Sequence, residues 1–249
     1  MRASEKYQIL IKSPIAMISY YFTEIILTND KEKFGKYIQS IHTGKTPSKK
    51  VAKYWSSEDY IWYKPEDIGF DKYLGETSNK ISNSAVSERK ATIYKINTLL
   101  ITGIGDIGRI GITTKEASSN QQITGLTFNS KILVDYAYHY LLPRKDYMQD
   151  DSSSTTLPIL NQSKIKNLLV KVPIIELQKE FLRYLEYCED CYKNNVFPED
   201  IKFNLDEKLF IFANKIFNLC YLEKSTEITF KRAKILKNSF LNEFFQSSS

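Results

Sequence analysis

Gly103-Ile-Gly105-Asp-Ile-Gly108 is the stretch whose residue types and spacing come nearest to a named chemical device. It fits G-x-G-x-x-G, in which glycines let a turn approach a pyrophosphate and a following helix N-terminus seats the negative charge. That device needs a strand before it and a helix after it. Leu99-Leu-Ile-Thr102 suits a buried strand. The following Arg109-Ile-Gly-Ile-Thr-Thr114 is β-branched and broken by glycine, with no i, i+3, i+4 stripe, so no helix is expected there. The better reading is a strand, a tight glycine turn and a second strand leading to Ser118-Ser-Asn-Gln-Gln122. Glycines in such a turn permit positive φ or close approach of another segment. A small nucleotide-binding enzyme using residues 103–108 stands as the alternative function.

Other chemical candidates are weaker. Cys188-Glu-Asp-Cys191 is a C-x-x-C pair, but zinc needs further ligands at matching spacing and none lies near. Cys188 falls on an apolar stripe, so packing is favoured over metal. The two histidines are isolated: His42 abuts a lysine-rich loop and could touch nucleic acid, and His139 sits in an expected helix with a structural role. No G-x-x-x-x-G-K-[ST] loop and no nucleophile elbow occurs. There is also no Asn/Asp-Pro-Pro-aromatic motif of the kind a DNA amino-methyltransferase carries. No carboxylate pair forms a defensible acid–base couple. No catalytic residue, no metal site and no cofactor are therefore expected in this chain.

Composition sets the frame for these residues. The 249-residue chain is 42% hydrophobic and 26% charged, which allows one or two ordinary soluble domains. Its net charge of +6 fits equally an anionic partner or a solvated basic surface. Three cysteines give no disulfide framework, so a reducing, cytoplasmic location is expected.

The elements follow from pattern. Ser13-Pro14 reads as an N-cap with proline at the first helical position, opening a short apolar helix over Ile15–Leu27. Lys12, Pro14 and Glu24 leave it too short to span a membrane, and it lacks a signal-peptide cleavage site. It could pack against the C-terminal helices. Phe34–Ile41 reads as a strand or short helix, and Ile61-Trp-Tyr63 as a short strand ended by Pro65. Val134–Leu142 reads as a helix ending at Pro143. All nine glycines lie at or before position 125, separating a loop-rich sheet region from a helical remainder. From Ile174 the pattern becomes heptads: Ile174, Leu177, Phe181, Leu185, Cys188 and Tyr192 form an a/d seam. A turn at Asn194–Pro198 interrupts it. A second stripe runs through Leu209, Phe212, Ile216 and Leu219 to Phe240 and Phe244, stuttering at Glu223–Glu227. A long helix with such a seam asks for a partner.

Between these elements lies Gly44-Lys-Thr-Pro-Ser48, followed by Lys49, Lys50, Lys53 and Tyr54-Trp55. Lysines interleaved with hydroxyls and aromatics suit a phosphate backbone, the aromatics serving as anchors. Five stretches in one order resemble the target-recognition domain of type I restriction-modification DNA specificity subunits. They are this loop, Ile61-Trp-Tyr-Lys-Pro-Glu-Asp-Ile68, and the glycine turn with Asn120-Gln-Gln122. Ser153-Ser-Thr-Thr156 with Ile165-Lys-Asn-Leu168, and Val172-Pro-Ile-Ile-Glu-Leu-Gln178, complete the set. The resemblance covers roughly 34–185 and, more weakly, 236–245. The 151–156 loop lacks the family's usual glycine.

The resemblance implies an α+β fold. A loop-rich, mixed β-sheet target-recognition domain is expected over 31–172, after a helical N-terminal extension over 1–30. A long, coiled-coil-like helical spacer and dimerisation region is expected over 174–246. The chain would then be a non-catalytic specificity subunit that recognises double-stranded DNA for a methyltransferase subunit and a restriction subunit. S-adenosylmethionine, ATP and Mg would belong to those partners. With one recognition domain it resembles a half-subunit, or one module of a longer chain, expected to pair as a homodimer or with a second recognition chain. Expected DNA-binding residues are Lys45, Thr46, Ser48, Lys49, Lys50, Lys53, Lys64, Arg109, Asn120, Gln121, Gln122, Ser153, Ser154 and Thr155. Asn120, Gln121 and Gln122 could read adenine edges or satisfy buried backbone groups. The expected pairing seam comprises Leu177, Phe181, Leu185, Leu209, Phe212, Ile216, Phe240 and Phe244.

Overall fold

The computed structural model describes residues 13–69, 71–150, 158–194 and 203–225. Helix α1, Pro14–Tyr21, opens as its first residues require: Pro14 lies in its first turn and the Ser13 hydroxyl accepts from the Ala16 amide at 3.2 Å. It continues through a π-helical turn at Phe22–Ile26.

The sheets follow in chain order. Strands β1 (Glu32–Lys33), β2 (Ile38–Thr43), β3 (Tyr60–Tyr63), β4 (Tyr73–Leu74) and β5 (Lys80–Ile81) lead to the short helix α2 (Asn83–Ser87). Strands β6 (Leu99–Thr102), β7 (Ile110–Thr113), β8 (Ala117–Ser119) and β9 (Ile123–Phe128) follow. A five-stranded sheet has the order β2-β9-β6-β7-β4 and a three-stranded sheet the order β5-β3-β8. Both are mixed, because β4 runs parallel to β7 and β3 parallel to β8, while the other pairs are antiparallel.

Strand β6 explains the layering. All four of its residues are buried. Leu99 and Ile101 join a cluster with the helices, while Leu100 joins another with Ile61, Tyr63, Ile68, Leu74, Tyr94, Ala117 and Ile123. Alternate side chains of a strand point to opposite faces, so this sheet is covered on both. Helices lie on one side and the smaller sheet on the other.

Helix α3 (Val134–Leu141) does not give way to a loop at Pro143. The chain passes through a 3-10 turn, Leu142–Arg144, into helix α4 (Lys145–Asp150). Pro143 sits in the first turn of that segment, where its missing N–H costs nothing. Helix α5 (Gln162–Asn167) and strand β10 (Leu169–Val170), which pairs with β1, precede helices α6 (Ile175–Asn194) and α7 (Glu207–Ser225).

Among the described residues most of the heptad seam is filled within the chain, although Ile174 at its start stays exposed. Phe181, Leu185, Leu209, Phe212 and Ile216 are all buried, in one apolar cluster with α1, the sheet and α3. Phe22 stacks on Phe181 with centroids 3.9 Å apart, and Tyr21 on Phe212 at 4.0 Å. Leu177 is half-buried against the same cluster. These six residues are therefore core contacts, which corrects their expected role as a pairing seam. The reason is simple: α1 occupies the stripe that a partner helix would have covered. Residues Phe240 and Phe244 lie outside the described residues. Cys188 and Cys191 are buried here as packing groups, and burial pushes the Cys188 thiol up to about 12.

A polar clasp fastens α1. The Arg144 guanidinium donates to the Tyr140 carbonyl, to Thr23 Oγ1 at 2.7 Å and to Glu24 Oε1 at 2.6 Å. Lys171 Nζ donates to the carbonyls of Glu24 and Leu27, each at 2.9 Å. Burial works to raise the Glu24 carboxyl, but Arg144 and Lys31 outweigh it and hold it below the ordinary value.

Candidate nucleic-acid interface

Four strands of the larger sheet end or begin at one edge. Thr43 of β2 faces Thr124 of β9, Thr102 of β6 faces Ile123, and Ile101 faces Ile110 of β7. The smaller sheet delivers its own ends nearby, with Tyr63 beside Ser119 and the Asn120 amide donating to the Tyr63 carbonyl at 3.1 Å. Three loops therefore meet at this end: 44–50, 103–108 and 120–122.

The glycine turn joins two antiparallel strands, as its flanks suggest, and no helix follows. The dinucleotide-binding alternative loses the helix N-terminus it requires. Gly105 and Gly108 both have φ of +83°, where a side chain is strained. Gly103 is needed for a different reason. A Cβ there would lie 2.6 Å from the Leu160 carbonyl oxygen. Its own amide donates to Gln122 at 2.7 Å and its carbonyl accepts from Leu160 at 2.9 Å.

Below the turn lies charge. Asp106 takes an ion pair from Lys145 and lies 3.4 Å from Arg109 Nε. The Arg109 guanidinium also donates to the Pro65 carbonyl. Arg109 is only 4% exposed. Its expected place on the DNA-facing side is thus corrected: it braces the turn from beneath and presents no charge to a phosphate.

The lysine loop is exposed at Lys45, Thr46, Ser48, Lys49 and Lys50, while Pro47 is buried. Its course is fixed by the two tryptophans. Trp62 Nε1 donates to the Lys45 carbonyl and Trp55 Nε1 to that of Ser48, each at 3.2 Å. The two indoles meet edge to face at 5.3 Å. Lys45, Lys49 and Lys50 have no acidic partner among the described residues. Lys53 differs, because Glu88 accepts from it at 2.5 Å and from Tyr54 at 2.7 Å. Those hydrogen bonds, from Lys53 first, hold the Glu88 carboxyl below its ordinary value. Lys64 is half-buried, with Glu66 3.5 Å away. His42 is exposed on β2.

The three amides separate. Asn120 is buried, donates to Gln122 Oε1 at 2.8 Å and accepts from the Gln122 amide at 3.0 Å. Asn120 therefore shapes the turn. Gln121 is exposed, and its Oε1 accepts from Thr46 at 2.6 Å. Ser153, Ser154 and Thr155 lie outside the described residues. The residues that composition gave no reason to single out are Ile104, Ile159, Asn161 and Gln162. They line a concavity of about 330 Å³ with Thr43 and Gln121. The tight approach of Gly103 to Leu160 and the bridge between Ile104 and Ile159 tie this segment to the turn, and one sequence does not reveal such contacts.

A family model for the type I restriction modification DNA specificity domain matches residues 36–196. The type I restriction enzyme MjaIX specificity subunit of Methanocaldococcus jannaschii is 28% identical over 180 residues, which cover 70% of this chain and 41% of that protein. The EcoBI specificity subunit of Escherichia coli is 30% identical over 112 residues, 43% of this chain and 24% of that one. The chain thus spans less than half the length of these curated relatives. A crystal structure of the HsdS subunit from Thermoanaerobacter tengcongensis superposes with a TM-score of 0.56 at 12% identity, covering 87% of this chain and 51% of the other. A chain from a structure of complex assembly in a type I R-M system gives 0.59 at 13% identity, covering 86% and 53%. At such identities the structural likeness speaks for the fold alone.

Proposed function

The chain belongs to the type I restriction modification DNA specificity domain family, and from that premise we propose that it recognises a specific sequence in double-stranded DNA. It serves as a non-catalytic module and directs a methyltransferase subunit, and with it a restriction subunit, to that sequence. S-adenosylmethionine, ATP and Mg act in those partner chains. A second recognition module, most simply a second copy of this chain, reads the other half of the target. None of the described helices is long and apolar enough to cross a membrane.

One observation carries the reading. Three exposed lysines with no acidic partner among the described residues stand on a loop that two tryptophans pin beside the exposed Gln121. Cations held in fixed register position a duplex, and amides next to them are placed to meet base edges. The test is the salt dependence of DNA binding by the complex assembled with its partners. Replacing Lys45, Lys49 and Lys50 with alanine should weaken all sites alike and reduce the slope of log affinity against log salt by about three. An unchanged affinity and slope would remove this loop from the interface.

A further inference from the structure

Ile104 and Ile159 are unusual occupants of this edge. They form an isolated antiparallel bridge, yet the two residues stay 36% and 40% exposed. Isoleucine is among the residues most often fully buried. Here the glycines on either side of Ile104 leave it projecting, and both isoleucines line the same concavity as Gln121, Gln122 and Gln162. The floor is polar and already satisfied, with Gln162 Nε2 donating to Thr43 Oγ1 at 2.9 Å and Thr43 Oγ1 lying 3.1 Å from Thr124 Oγ1. Gln121 is different. Its oxygen is engaged by Thr46, which fixes the amide, and among the described residues its nitrogen donates to nothing. The site therefore offers an oriented N–H donor beside a small apolar surface, flanked by the lysine loop.

Only one base pair presents a matching edge. In the major groove an A·T pair offers acceptors at adenine N7 and thymine O4 together with the thymine methyl group, whereas G·C offers acceptors and no methyl. We propose that Ile104 and Ile159 form an apolar seat for the C5 methyl of one thymine in the target, with the Gln121 amide donating beside it. This assignment rests on the DNA-binding reading above and adds a specificity-determining contact to it.

The test uses the complex assembled with its partners and a duplex carrying its mapped target. Each thymine is replaced in turn by deoxyuridine, which removes only the methyl. Loss of one buried methyl corresponds to about a fourfold loss of affinity. The expected result is such a loss at one position. Ile104→Ala should weaken the thymine duplex and erase the difference between thymine and deoxyuridine there. Ile159→Ala provides the same comparison if Ile104→Ala lowers the melting temperature. Target binding indifferent to every deoxyuridine, or a difference that persists undiminished in both variants, would overturn the seat while leaving DNA recognition intact. Absence of any sequence preference would overturn the DNA reading and the seat together.

Discussion

A methyl group at Gly44 would lie 2.1 Å from Ser119 Oγ and 2.2 Å from the Asn120 carbonyl oxygen. Both atoms belong to buried residues, so neither can swing away. Gly44→Ala should cost at least about 1–3 kcal/mol, the range for overpacked interiors. Gly75→Ala is the matched control, since a Cβ there meets nothing within 4 Å. Thermal melting of the two variants should separate them clearly, and equal melting would mean the 44–50 loop is not clamped as described. His139 carries a second prediction at this scale. Burial first, and Lys72 next, push its imidazole down from its ordinary value of 6.5 to about 3. The unfolded chain takes up that proton first on acidification, so stability is lost as pH falls below 6.5 towards 3. In His139→Asn, urea midpoints measured from pH 7 to 5 should decline less steeply than in the parent. An identical decline would mean another group sets it. Residue identity foretold some of this. Gly103 and Gly105 announced a turn, and His139 in an apolar helix announced a structural role. Arg109 did not announce its burial, because the Pro65 carbonyl that accepts from it lies far away in sequence and is brought to it by the fold.

Helices and strands were readable where local chemistry decides them. Ser13-Pro14 starts α1, and Leu99-Leu-Ile-Thr102 makes a strand because all four side chains have a layer to enter. The parallel pairings of β3 with β8 and of β4 with β7 were not readable, since they join segments far apart in sequence. The heptad stripe on α6 showed that the helix needs a cover without showing whose. Helix α1 is that cover, through Phe22 on Phe181 and Tyr21 on Phe212. Phe22→Ala should therefore cost about 3–5 kcal/mol in equilibrium unfolding. A charge at Phe212 tests the same packing differently. Phe212→Asp should lower the melting temperature sharply, because an unpaired carboxylate is placed in an apolar core. Unchanged melting together with a halved mass in light scattering would instead make the stripe an interface between chains.

The whole molecule presents one edge, where the ends of four strands gather a pinned lysine loop, an exposed glutamine and an apolar pair. Membership of a DNA specificity family and this edge converge on one proposal, sequence recognition in DNA on behalf of a modifying partner. The most direct measurement is a map of methylated bases in the native host with and without this gene. Removal should abolish modification at one recurrent sequence and leave every other modified motif intact. If the chain pairs with a second copy, that sequence consists of two inverted half-sites separated by a gap, since half-site spacing follows the geometry of the paired protein. Persistence of every modified motif after the gene is removed would contradict the account.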